Sequence, residues 1–301
     1  MLSNRIGLAL CVVAAACGGS VIDDPPLMSA SDAVAMPRAE TDYRLVYGEH
    51  PLQFGELRLP EGEGPFPVVV VIHGGCWLAE YDLGYVSPLA RALSDSGFAT
   101  WSIEYRRIGD EGGGWPGTFQ DVADAADFLL EIGADFNLDL NRTAAVGHSA
   151  GGHLALWLAG RKKLDAKDPL RGEIPLRLNG VVALAGIPDL AAYAAPEGCG
   201  AAVPQLLGGD PADVGDRVRR GSPIAMVPYG TPQTLVIGGR DPIVPASQAH
   251  SFAAAARAVG DAVNIVEVAE AGHFELVNPE HPAFEVVRDR VAEAVESPRP
   301  E

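Results

Sequence analysis

Hydrophobic and polar positions change rhythm twice along the chain. "DYRLVYG" and "LQFGELRLP" alternate apolar with polar residues, the period of two strands of an antiparallel hairpin that bury one face. "FPVVVVIHGG" drops the alternation, and its continuous apolar run fits a strand covered on both faces. From Val68 onward strand and helix patterns take turns. "FATWSIEYR", "RTAAVGHS", "LNGVVALAGIPDL", "TPQTLVIGGRD" and "VNIVEVAEAGH" read as strands. Helical spacing marks "VSPLARALSDSG", "TFQDVADAADFLLEIGADF", "AGGHLALWLAGRK", "PASQAHSFAAAARAVG" and "HPAFEVVRDRVAEAV". This order predicts an α/β fold: a mostly parallel central sheet entered through an antiparallel N-terminal hairpin, with helices on both faces. One domain over 41–298 accommodates the whole pattern. Only 190–230, rich in Gly and Pro with short helical fragments, breaks it, and this stretch is expected to be a cap-like insertion that walls a pocket.

The first residues follow another logic. "MLSNRIGLALCVVAAACGGS" has one basic residue, Arg5, then an apolar run from Ile6 to Ala16 that is too short to span a bilayer and suits a signal peptide. Ala14, Ala15 and Ala16 before Cys17 resemble a lipobox, so 1–17 is expected to be a signal peptide whose end leaves Cys17 lipidated. The expected location is the bacterial cell envelope, periplasm or outer membrane, with membrane contact only through this N-terminal lipid anchor. Ordinary secretion is the alternative. Residues 18–40, rich in Ser, Asp, Pro and Ala, read as a flexible tether. Once the leader is set aside, Cys76 and Cys199 remain in a compartment that permits disulfides, as a bonded pair or as two buried thiols.

Charge removes one class of partner. A net charge of −18 repels phosphate backbones and no run of Lys or Arg overrides it, so nucleic acid is not expected. No HExxH or paired His/Asp spacing suggests a metal, and no cofactor motif appears. The patterning leaves the oligomeric state open.

The chemistry centres on "VGHSAGGH". Gly147, His148, Ser149, Ala150 and Gly151 satisfy G-x-S-x-G where a strand gives way to a helix, the position that exposes a serine hydroxyl at the sheet edge. "HGGCW" follows the buried strand. Acyl transfer builds negative charge on a carbonyl oxygen, and backbone amides of Gly74, Gly75 or Cys76, with that of Ala150, are candidates to receive it. Serine needs a histidine to take its proton and a carboxylate to orient that histidine. Asp241 in "VIGGRDPIVP" and His273 in "VEVAEAGHFEL" each follow a strand, in the chain order Ser, Asp, His. His153, one helical turn from Ser149, is a rival base, and Asp189 a rival acid. His148 and His73 read as bracing residues, and His250 and His281 as solvated or capping ones. Trp77, Tyr81 and Trp115 are candidate pocket aromatics.

The set "HGGCW", "EYRR", "GHSAGGHLALWLAG", "GRDPIVP" and "GHFEL" resembles bacterial α/β-hydrolases of the esterase/lipase group, near the kynurenine-formamidase-like and BD-FAE-type carboxylesterases. The resemblance covers roughly residues 45 to 295. It implies an α/β-hydrolase fold with Ser149 as nucleophile, Asp241 as acid, His273 as base and a small-molecule ester as substrate. Cys76 stands where the HGGG lipase version has its third glycine. Other readings are an arylformamidase of the kynurenine type, a prolyl-oligopeptidase-like peptidase, and a catalytically silent envelope binding protein. A lipidated N-terminus fits a cytosolic tryptophan-catabolic formamidase poorly.

Overall fold

A computed structural model describes residues 25–298. The leader, Cys17 and the first part of the expected tether lie outside them. Eight strands form one sheet: β1 (Tyr43–Val46), β2 (Phe54–Arg58), β3 (Phe66–Ile72), β4 (Ala99–Ile103), β5 (Leu138–His148), β6 (Gly180–Leu184), β7 (Gln233–Gly238) and β8 (Val263–Val268). Their order across the sheet is β1-β2-β4-β3-β5-β6-β7-β8. β1 pairs antiparallel with β2 and β2 with β4, while every later pairing is parallel. The hairpin and the change of character at the Val run are therefore as the patterning predicts.

Among the described residues ten α-helices accompany the strands: α1 (Ala30–Ala35), α2 (Ser87–Asp95), α3 (Gly117–Asp127), α4 (Leu129–Ile132), α5 (Ala150–Gly160), α6 (Leu190–Tyr193), α7 (Val203–Leu207), α8 (Gly215–Gly221), α9 (Ser247–Ala258) and α10 (Ala283–Glu296). β3 shows how the layers divide. Its side chains alternate, so Val68, Val70 and Ile72 join one core with α3, α5 and α9, and Val69 and Val71 join a second with α2 and α10. A strand buried on both faces cannot carry polar residues without partners, which is why the run is Val and Ile.

The tether expectation is corrected from Pro25 onward. Ser29 caps α1 through a capping box with Asp32, and Ala33 is fully buried against the α2/α10 face. The physical reason lies on β2, whose outer face carries the buried pair Glu56 and Arg58. Arg58 donates to the carbonyls of Glu40 (2.9 Å) and Ala39 (3.2 Å) and to Glu56 (2.7 Å), and Arg38 donates to Glu56 (2.8 Å). A buried guanidinium needs those acceptors, and the segment 36–40 supplies them.

Residues 190–230 form α6, α7 and α8, joined by short 3-10 turns. They pack beside α5: Trp157 donates its indole N–H to the Arg220 carbonyl (2.8 Å), and Ser222 Oγ accepts from the Leu190 amide (3.1 Å).

Candidate active site

β5 runs straight into α5 with a single residue, Ser149, between them. Its backbone sits at φ 56° and ψ −119°, a region that costs a non-glycine residue free energy and is tolerated where the surroundings impose it. The flanking glycines impose it by contact. A Cβ at Gly147 would lie 2.0 Å from the Gly151 carbonyl oxygen, and one at Gly151 would lie 2.1 Å from that of Ile72. Helix and strand thus approach closer than any side chain permits, and the serine is held at the sheet's C-terminal edge.

Asp241 and His273 reach the same edge from the ends of β7 and β8. His273 Nδ1 donates to Asp241 Oδ2 at 2.7 Å, and Asp241 Oδ1 accepts from the amides of Ile243 (2.7 Å) and Val244 (3.0 Å). Burial alone would raise the Asp241 carboxyl. The hydrogen bond and charge of His273, with the two amides, outweigh burial and hold it below the ordinary carboxylate value. An ionised carboxylate only accepts, so Nδ1 carries its proton and Nε2 of a neutral ring keeps a lone pair. Ser149 and His273 line one pocket of about 110 Å³, together with Gly75, Cys76, Tyr81 and Phe274.

The loop after β3 is wound by three consecutive left-handed residues, Gly75 (φ 94°), Cys76 (φ 53°) and Trp77 (φ 58°). Backbone bonds from Leu78 to Gly75 (2.9 Å) and from Ile108 to Trp77 (2.8 Å) fix it. A disulfide from Cys76 to Cys199, with Cα atoms 5.2 Å apart, ties it to the 190–230 insertion. Gly74 is a correction among the candidate oxyanion donors. Its amide is spent on Tyr85 Oη at 2.6 Å, whereas Gly75 and Cys76 line the pocket with their amides uncommitted among the described residues. Ala150, the first residue of α5, has an amide that no intrahelical carbonyl can reach.

Both histidines that flank the serine are structural. His148 Nε2 faces the His273 carbonyl at 3.0 Å, and its Nδ1 faces Tyr85 Oη at 3.1 Å. A carbonyl only accepts, so Nε2–H donates and Nδ1 accepts from the tyrosine. Burial pushes His148 down to about 3 and Tyr85 well above the usual phenol value, which keeps the ring neutral and the hydroxyl protonated. The result is one buried chain from the Gly74 amide through Tyr85 and His148 to the backbone of His273. No periodic signal marks Tyr85, and only its place in a 3-10 turn against the loop reveals it. His153 bridges elsewhere. It accepts from Trp77 Nε1 (3.1 Å), donates to the Gly221 carbonyl (2.8 Å), and is pushed by burial to about 4. With both nitrogens engaged it is no base for Ser149. Asp189 caps α6 by accepting from the Ala192 amide (3.0 Å) and is likewise no partner of His273.

Two pocket expectations are corrected. Trp77 is fully buried behind the loop, and Trp115 packs on Phe119 (5.0 Å between rings) beneath the Arg220 guanidinium (5.1 Å). Neither lines the pocket, while Tyr81 does. The insertion lines it no more than they do: Ala30, Ala33 and Val34 of α1, with Ile243, form that wall. Glu275 couples α1 to the histidine loop, accepting from the Met28 amide and from the Gly272 amide (3.0 Å). His73 bonds Gly74 O (2.9 Å) and Glu104 (3.0 Å), bracing its own loop, and His281 accepts from the Ala283 amide (3.1 Å) at the start of α10.

Among known proteins, Esterase LipC of Mycobacterium tuberculosis is 32% identical over 254 residues, 78% of this chain and 60% of LipC, so the chain spans about three fifths of that relative's length. The solved structure described as a truncated form of carbohydrate esterase from gut microbiota superposes with a TM-score of 0.72 at 22% identity, over 86% of this chain and 97% of that one. A bifunctional GH43-CE of Bacteroides eggerthii gives a TM-score of 0.70 at 27% identity, over 85% of this chain and 38% of that one. The fold is that of the α/β-hydrolases. The BD-FAE family profile matches residues 56–255, well over half of the sequence, and the chain belongs to that family.

Proposed function

We propose that the protein is a serine carboxylic ester hydrolase that works through an acyl-enzyme. The observation that carries the reading is the 2.7 Å bond between His273 and Asp241 facing the same pocket as a serine held on a strained strand-to-helix turn. In this reading Ser149 Oγ attacks the ester carbonyl carbon while His273 Nε2 takes the hydroxyl proton. Asp241 stabilises the imidazolium, and the amides of Ala150, Gly75 and Cys76 receive the charge that develops on the carbonyl oxygen. The proton passes to the leaving alkoxide, which departs as the alcohol. Water then attacks the acyl-enzyme by the same route and frees the acid. The substrate is a small-molecule ester.

Pocket size argues for a short acyl group. About 110 Å³ is well below the 300–1,000 Å³ typical of drug-sized ligands, and its α1 wall is apolar. Replacement Ser149→Ala should lower kcat/KM for p-nitrophenyl acetate by several orders of magnitude, leaving about 10³ to 10⁴ of acceleration over water from the oxyanion donors and binding. Wild-type turnover by that variant refutes the assignment. From the sequence we also infer an envelope location with lipid on Cys17, a reading that the Cys76–Cys199 disulfide supports because such bonds persist in oxidising compartments. Mass spectrometry of the N-terminal peptide from the membrane fraction tests it.

A further inference from the structure

A second cleft lies remote from Ser149. It has a volume of about 540 Å³ and lies where α5 ends and the chain returns to β6, between residues 158–163, 171–178 and 229–231. α5 separates the two sites: it starts after Ser149 and ends before Arg161, and its rise of about 1.5 Å per residue puts Arg161 roughly 18 Å away at the opposite edge of the sheet.

Its charge runs against that of the molecule. In a chain of net charge −18, the cleft is lined by Arg161, Lys162, Lys163, Arg171 and Arg177 against one acid, Glu173. All the lysines of the sequence fall within 162–167. Asp168, which would offset them, is drawn away by Arg220 (2.7 Å). The crowding is felt at Lys162, whose ammonium is lowered by burial and by the charges of Lys163 and Arg177, which outweigh the opposing carboxylate of Asp261.

Arg161 closes the floor. Its side chain is buried, one nitrogen is spent on Asp127, and Nε and Nη1 have no hydrogen-bond partner among the described residues. Buried charged donors left unsatisfied are costly and call for an acceptor such as a water or an ion. One wall is apolar: Ile174 is 75% exposed and Pro175 stands beside it. A surplus of cations suits a dianion better than a carboxylate, and guanidinium forks match tetrahedral oxyanions. The apolar wall and the cleft's volume call for an organic body attached to that anion.

We propose that this cleft binds a small phosphate monoester, its phosphoryl group held by Lys162, Lys163, Arg171 and Arg177 over Arg161 and its body against Ile174 and Pro175. The ligand does not reach the serine, so the proposal stands apart from the hydrolase reading.

Isothermal titration of the purified protein at fixed ionic strength tests it, with phenyl phosphate as probe and inorganic phosphate and phenol as comparisons. Phenyl phosphate should bind saturably, inorganic phosphate more weakly and phenol not at all. The double variant Lys162→Glu/Arg177→Glu should bind phenyl phosphate at least tenfold more weakly while hydrolysing p-nitrophenyl acetate within twofold of wild type. The pair Lys162→Gln/Arg177→Gln, which disturbs the fold's charge balance less, should weaken binding in the same direction. No saturable binding of phenyl phosphate, or unchanged affinity in both double variants, overturns the site. Equal affinity for inorganic phosphate overturns the organic body.

Discussion

Two segments flank the candidate pocket, and they are held there by different means. The 190–230 insertion is bonded covalently to the loop after β3 through Cys199 and hydrogen-bonded to α5 through His153 and Trp157. The N-terminal strap, residues 25–40, has no covalent tie. It is held by carbonyls given to Arg58, by Arg38 on Glu56 and by Glu275. Yet the strap, not the insertion, contributes side chains to the pocket. Under the proposed function, rigid attachment and contact with substrate fall to separate pieces: the insertion fixes the loop of the proposed oxyanion donors, and the strap walls the space proposed for the acyl group.

Cutting the covalent tie is the hardest test of that division. The disulfide closes a span of 123 residues, for which chain entropy predicts a loss of up to about 5 kcal/mol in the variant Cys76→Ser/Cys199→Ser. Urea unfolding of wild type and variant measures it, and kcat should fall along with stability because Cys76 belongs to the loop. An unchanged kcat would separate the insertion from the loop's function.

Acid should loosen the insertion and the site it adjoins. His153 serves the insertion, His148 the site itself, and both are pushed down from the ordinary 6.5, to about 4 and about 3. Below pH 6.5 the unfolded chain binds protons that the native rings refuse, so stability falls with falling pH by about 1.4 kcal/mol per unit for each histidine. The loss runs from pH 6.5 to about 4 for His153 and continues to about 3 for His148. Denaturant midpoints at pH 7 and pH 5 should show it, and His153→Gln should flatten the slope.

Tyr85→Phe leaves the Gly74 amide and His148 Nδ1 without their shared partner. The expected effect is about a 10- to 100-fold fall in kcat with KM little changed, the size of one or two lost hydrogen bonds that position reacting groups. A KM effect alone would show that the chain does not act on the reacting groups.

Val34→Ala is the mildest probe. Val34 lines the pocket and is 58% exposed, so stability should stay within about 0.5 kcal/mol. The ratio of p-nitrophenyl butyrate to acetate turnover should rise by a few-fold, in keeping with the value of a methyl or two in an apolar site. No change would remove the strap from the acyl wall.

What could be read beforehand was what sits at strand ends. Ser149 and Asp241 follow strands that are buried and apolar as they near the site, and His273 follows the alternating edge strand β8, so local pattern places them before any contact is known. The strap could not be read in the same way. Its helix is six residues long, and its docking depends on Arg58, a charge that alternation alone would have turned toward solvent. Ser29 and Asp32 close a capping box at the helix start. Trp77 illustrates the opposite failure: an aromatic beside the loop suggests a pocket, but its N–H has a buried acceptor in His153, and it turns inward. The basic cleft escaped because its cations are spread over 161–177 with acids between them, and only the fold removes Asp168 from the sum.

The buried chain through Tyr85 and His148 has a consequence for assembly. Its donors can be ordered in one direction only, because Gly74 can only give a proton and the His273 carbonyl can only receive one. A molecule in which the loop after β3 is misplaced therefore leaves Tyr85 without its donor and weakens the chain that ends at the His273 backbone. The loop after β3 and the loop that carries His273 are thus stabilised through the same three bonds.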